Sequence, residues 1–179
     1  MAKFVVFLRA VNVGGRKLAM ADARKVLEDN GFTGVESHIQ TGNFLVDTSL
    51  RSIAKVEQAV GEALGKHAGY DIVAIARRPA DLTGLVEAVD AVPVSLEGEQ
   101  SRYVSFCAEA PTAARAAELE EWDAPGERAH VIGKDVLMEF ALPFHTAKLT
   151  GPKIEKVLGV AGTARNMTVV RALAQKWGT

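Results

Sequence analysis

At 179 residues with a formal net charge of −1, the chain is long enough for one domain or two small ones sharing a core. The balanced charge excludes a global basic field that would collect nucleic acid. Hydrophobic content of 48% with 24% charged residues is that of a folded soluble protein.

Phe4–Leu8 is an unbroken apolar run and reads as a strand buried on both faces. Gly14-Gly15 breaks the chain, and Met20, Ala23, Val26 and Leu27 then recur at helical spacing, with Gly31 placed to end that helix. Val35–Gln40 and Asn43–Asp47 are strand-like and flank Thr41-Gly42, the spacing of a two-residue hairpin. Thr48 or Ser49 is placed to cap a helix over Leu50–Lys66, and Asp71–Arg77 is a further strand. The order so far is β-α-β-β-α-β.

Pro79 opens a helix to about Val89. Val94–Ser101, with Gly98 and polar neighbours, is the linker candidate, which divides the chain into 1–93 and 94–179. The second part starts again with a strand over Arg102–Ala108 and an alanine-rich helix over Thr112–Trp122. A hairpin of Arg128–Ile132 and Asp135–Ala141 turns at Gly133-Lys134. Helices over Pro152–Leu158 and Asn166–Trp177 follow, so the second part repeats β-α-β-β-α and ends in a helix where the first part has a fourth strand.

The right-handed crossover rule turns this order into a location. In a split β-α-β unit the first and second strands run parallel with the third between them. The Ala10–Lys17 loop and the Gln40–Asn43 turn then meet at one sheet edge, beside the start of the first helix. Glycines 14, 15 and 42 allow close backbone approach there, Arg9, Arg16 and Lys17 bring positive charge, and Asn12, Gln40, Thr41 and Asn43 bring neutral hydrogen-bonding groups. Such a rim suits a phosphate- or carboxylate-bearing small molecule. Arg165 and Asn166, ahead of the last helix, are further candidates. Arg165 approaches the same edge if the two parts pack sheet to sheet. The plainer reading of Thr163 or Asn166 is helix capping.

Other chemistries find little purchase. No Gly-Lys-Ser/Thr follows the glycines and no Gly-x-Gly-x-x-Gly occurs, so neither a phosphate loop nor a dinucleotide cofactor is indicated. His38, His67, His130 and His145 lack metal-ligand spacing, and Cys107, the only cysteine, reads as a buried strand residue in a reducing compartment. No nucleophile–base pair stands out, so catalysis is unassigned. An open RNA-stacking sheet is disfavoured by apolar strands that need cover on both sides; nucleic acid held at the loop edge through phosphates is the alternative, and a protein-interaction module the third. The N-terminal apolar run is too short for a signal peptide, and no run approaches the ~18 residues of a membrane span, so a cytoplasmic protein without a membrane partner is expected.

Leu8-Arg-Ala-Val-Asn-Val-Gly-Gly15, Met20, Leu27, Gly31-Phe32 and Ile39-Gln-Thr-Gly-Asn43 resemble the opening signature of the family catalogued as domain of unknown function 1697. Thr163-Ala-Arg-Asn166 resembles its second signature. Ala10 stands where that pattern has glycine, Thr41 where it has serine, Met167 where it has tryptophan and Val169 where it has threonine. The resemblance spans essentially the whole chain and implies a ferredoxin-like first part with a related second part: an α+β protein of two ferredoxin-like β-α-β-β-α units. It implies no established activity.

Overall fold

The computed structural model describes residues 1–179 and resolves into two units, Met1–Leu82 with Lys176–Thr179, and Thr83–Gln175. In the first unit the elements are β1 (Ala2–Arg9), α1 (Met20–Asp29), β2 (Thr33–His38), β3 (Asn43–Thr48), α2 (Ile53–Ala68) and β4 (Val73–Arg77). They form one sheet in the order β2-β3-β1-β4, with every neighbouring pair antiparallel. Because β1 and β2 both oppose β3, they run parallel to each other with β3 between, the split arrangement expected from the crossover rule.

Alternation along the strands sorts the core. Phe4, Val6, Leu8, Phe44, Val46, Ala74 and Ala76 face Ala23 and Leu27 of α1 and Val56, Val60 and Leu64 of α2. Val5, Phe7, Leu45 and Ile75, of opposite parity, are buried as well, so β1 is covered on both faces. A helix-facing side chain of this size contributes about 1.5–3 kcal/mol when fully buried, which is why an apolar run with no polar alternation is stable only as a central strand.

The second unit repeats the plan. After α3 (Pro79–Ala91), which begins in the first unit, come β5 (Ser101–Cys107), α4 (Ala113–Glu120), β6 (Glu127–Ile132), β7 (Asp135–Phe140), a single 3₁₀ turn (Phe144–Thr146), α5 (Gly151–Leu158), β8 (Gly162–Asn166) and α6 (Met167–Trp177). The sheet order is β6-β7-β5-β8, again antiparallel throughout. This unit therefore ends in a helix as expected, and it also has a fourth strand, β8, ahead of that helix. No helix of either unit is long and apolar enough to cross a membrane.

Two local expectations need correction. The first hairpin has a four-residue loop, Ile39–Gly42, closed by the His38↔Asn43 pair, rather than a two-residue one. Helix α2 starts at Ile53 after Ser52, while Thr48 Oγ1 accepts from the Leu50 amide (3.2 Å) and so ties down the approach to the helix instead of capping it.

Two buried carboxylates of the second unit are each met by several donors. Glu127 accepts from Trp122 Nε1 (2.9 Å) and from the amides of Lys148 (2.6 Å) and Leu149 (2.8 Å), which pins the segment carrying Phe144 against β6. Glu139 meets Arg102 Nη2 at 2.6 Å and His130 Nε2 at 2.7 Å, and Arg102 also reaches the carbonyls of Val89, in the last turn of α3, and Val92, just past it.

The last residues of α6 complete the first unit. Trp177 is buried, its Nε1 donates to Glu36 Oε2 (3.1 Å), its ring meets His38 edge-on, and Lys176 Nζ lies 2.9 Å from the same carboxylate. Hydrogen bonds from Lys176 and then Trp177 hold the Glu36 carboxyl below its ordinary value. A carboxyl depressed on folding contributes stability above its unfolded pKa and loses it as pH falls through the folded one. In a Trp122→Phe background, Trp177 fluorescence is expected to change in an acid titration whose midpoint lies below the ordinary glutamate range. Glu36→Gln should remove that step.

Candidate functional site

The strand β1 delivers the chain to the sheet edge at Arg9, and the next ten residues double back to α1 without regular structure. Within this segment Val13-Gly14-Gly15-Arg16 forms a tight turn closed by Arg16 N–H donating to the Val13 carbonyl (3.0 Å). Both central residues have positive φ (58° and 82°), as in a type I′ turn, and a Cβ on either would meet nothing within 4 Å. Glycine is demanded by backbone conformation, and the space around it is open.

The loop is fastened by Asn12. Its Oδ1 accepts from the Leu18 amide (2.9 Å), and its Nδ2 donates to the carbonyls of Leu18 (3.0 Å) and Gln40 (2.8 Å). Only this orientation of the carboxamide satisfies all three partners. The last bond crosses to the hairpin loop, 28 residues on, so the two polar bends lie side by side. A second tie runs from the Leu8 amide to the Gly42 carbonyl (2.8 Å).

The candidate residues divide into those that build this edge and those that face outward. Gly42 is buried at φ 80°, where a Cβ would sit 2.9 Å from both Leu8 Cβ and Val11 Cγ2. Asn43 is 0% exposed and donates to the His38 carbonyl and Thr41 Oγ1, each at 3.0 Å. Arg9 is half-buried at the end of β1. Asn12, Gly14, Gly15, Arg16, Lys17, Gln40 and Thr41 are exposed. Arg16 lies 5.4 Å over the Tyr70 ring, a cation–π contact that orients the guanidinium.

Asn12, Gly15, Arg16, Lys17, Leu18, Ala19 and Gln40 line a depression of about 470 Å³. A second one, of about 340 Å³, adjoins it through Ala19 and Gln40 and adds the start of α1 with Arg24, Ser37 and Ile39. The first-turn amides of any helix lack an intrahelical acceptor, and here the residue before the helix, Ala19, offers no side-chain cap for them. Arg24 Nη1 donates to Ser37 Oγ (2.6 Å). Neither residue stands out in the sequence. The one signal is that Arg24 sits one turn after Met20, at the margin of the buried helix face.

Backbone strain gathers here. The non-glycine residues with positive φ are Ala10 (57°), Asn12 (56°) and Ile39 (51°), all within these two loops. For Ile39, β-branched and 47% exposed, this conformation is an outlier.

Arg165 and Asn166 belong to the second unit. Arg165, 7% exposed on β8, donates from Nη1 to Thr163 Oγ1 (2.8 Å) and the Ala164 carbonyl (2.9 Å), and burial lowers its pKa to about 10. Asn166 Oδ1 accepts from the Thr168 amide (2.8 Å), so this residue caps α6. Cys107 is buried in β5 and its amide donates to Asp135 Oδ1 (3.0 Å). No group of three or more His, Cys, Asp or Glu side chains is placed to hold a metal ion.

Two substitutions test this account of the loop. Asn12→Ala removes three hydrogen bonds and leaves alanine at positive φ, so a loss of about 2 kcal/mol in urea unfolding is expected, with faster hydrogen exchange at Leu18. Ala10→Gly relieves a left-handed alanine and should raise stability by about 1 kcal/mol, equivalent to roughly 2–4 °C in Tm.

The fold recurs in a solved structure, that of the conserved bacterial protein SP0830 from Streptococcus pneumoniae. The two match with a TM-score of 0.70 at 19% identity, over 100% of this chain and 99% of the other. At that identity the likeness is one of fold. No curated protein matches the chain. The family model described as a protein of unknown function (DUF1697) matches residues 1–137, which hold the whole first unit except its C-terminal residues together with β5, β6 and the first half of β7. The chain belongs to that family.

Proposed function

We propose that the protein binds an anionic small molecule, carrying a phosphate or a carboxylate, in the depression between the Asn12–Lys17 loop and the Gln40–Asn43 turn. The observation that carries this reading is the lopsided chemistry of the lining: Arg16 and Lys17 bring two cations, Gln40 a carboxamide, and no carboxylate is among the lining residues. The start of α1, uncapped by any side chain, adds the positive end of a helix dipole. Gly14 and Gly15 leave the backbone bare where a ligand would approach. The strained residues of both loops support a ligand-related role, since such conformations cluster where the surrounding structure holds a binding surface in place.

On this reading Gly14, Gly15, Arg16, Lys17, Gln40 and Thr41 face the ligand, while Arg9, Asn12, Gly42 and Asn43 shape the edge that presents them. Arg165 and Asn166 have no part in this reading, which leaves their hydrogen bonds to Thr163, Ala164 and Thr168 to serve β8 and the start of α6. No acid–base pair is placed in the lining, so the reading is one of binding and assigns no reaction.

A thermal-shift panel of nucleotides, sugar phosphates, di- and tricarboxylates and short RNAs tests it. A true ligand at 100 times its Kd stabilises by about 2.7 kcal/mol. The double variant Arg16→Ala, Lys17→Ala should weaken a small-molecule hit at least about tenfold, from the loss of charge-assisted hydrogen bonds. If every hit survives that variant unchanged, the site is misplaced. A hit confined to RNA, with affinity falling steeply with salt, would replace the small-molecule reading by nucleic-acid binding.

A further inference from the structure

The smaller of the two adjoining depressions differs in chemistry from its neighbour. Ala19, Met20, Ala21 and Ile39 give it an apolar lining, and no carboxylate is among the lining residues. Its one cation, Arg24, donates to Ser37 Oγ at 2.6 Å. At about 340 Å³ it is within the range of small-molecule sites, and through Ala19 and Gln40 it is continuous with the depression that holds Arg16 and Lys17.

Ile39 is the unusual part of this lining. It is 47% exposed, and its φ of 51° is one that a β-branched residue rarely adopts. The other two left-handed residues of these loops have simpler accounts. Asn12 is of a type that tolerates such a φ, and its carboxamide makes three hydrogen bonds. Ala10 has only a methyl group to accommodate. Glycine or asparagine would occupy position 39 at lower cost, yet the chain holds a large aliphatic side chain there, half in solvent, at a concave surface. Backbone strain of this kind persists where a functional surface is being held in place. Here that surface is apolar and borders a cationic one.

We propose that the anion held at Arg16 and Lys17 carries an apolar body, an aryl or short alkyl group, which crosses the Ala19–Gln40 junction and covers Ile39. This rests on the anion-binding reading and narrows it to phosphate monoesters or carboxylates with a hydrophobic substituent. The anionic head answers the two cations, and the body takes the side chains of Ala19, Met20 and Ile39 out of water.

The test compares methyl with phenyl phosphate, and acetate with phenylacetate, in a residue-resolved NMR titration of the full chain. In the better-bound pair the phenyl member should bind at least about tenfold tighter, and it should shift the Ile39 and Met20 methyl groups as well as the Gly14 and Gly15 amides. Ile39→Gly should cut that advantage to about twofold or less without lowering Tm. Should Ile39→Gly loosen the loop, Ile39→Asn, which also suits a positive φ, decides in its place. Equal affinity within both pairs, or an advantage that survives removal of Ile39, overturns the inference. If binding is then still lost in the Arg16→Ala, Lys17→Ala double variant, the anion-binding reading stands without it. Shifts that ignore the double variant overturn both, as does no saturable shift with any of the four by about 10 mM. Binding to phosphatidylglycerol vesicles that depends on Ile39, with no phenyl preference in solution, would give the apolar rim to a membrane surface and also overturn the proposal.

Discussion

The carboxamide of Asn12 is the constraint on which the candidate site depends. It copies the hydrogen-bonding of a strand, accepting from and donating to the same residue, Leu18, and spends its remaining N–H on the hairpin loop at Gln40. No backbone ladder reaches this far past β1, so that side chain, together with the buried Val11 and Leu18 that flank it, sets the position of the Val13–Arg16 turn. The reach of a single asparagine is short. That it spans two loops follows from the split sheet, in which β3 lies directly beside β1 and carries its turn to the edge where β1 ends. Topology brings the loops near, and one polar side chain fixes their register.

The two units share a plan while differing in what they bury. In each, the fourth strand pairs with the first, and in each it sets a buried arginine opposite a valine: Arg77 against Val5, and Arg165 against Val104. Burying a guanidinium is costly unless its donors are engaged, and the adjacent carbonyls of Ala76 and Ala164 accept from them. The second unit adds Glu127 and Glu139, each met by several donors. Equivalent backbones thus carry distinct polar interiors, which agrees with a repeat visible in element order and absent from residue identity.

How much was legible follows from where the information sits. The run Phe4–Leu8 announces a central strand because nothing polar interrupts it, and the crossover rule then places two distant bends together. The strand β8 was hidden because Gly162-Thr-Ala-Arg-Asn166 has no β-branched or aromatic run; pairing with β5, not local preference, makes it extended. The hairpin loop is longer than its sequence suggests because Ile39, a residue type that ordinarily belongs to strands, is left-handed here. Asn43 looked like a ligand contact from its polarity, yet its side chain is spent inside the turn. Arg102, His130 and Glu139 come from three strands, and spacing along the chain gives no hint that they converge.

The docking of Trp177 and Lys176 on Glu36 has a consequence for how the protein is made. A chain emerging from the ribosome can assemble β1 to β4 and both covering helices early, since every hydrogen-bonding partner within that sheet is already synthesised. Edge strand β2, however, obtains its indole and ammonium partners only after residue 177 has left the exit tunnel. Until then the nascent first unit has that rim of β2 without its indole and ammonium cover.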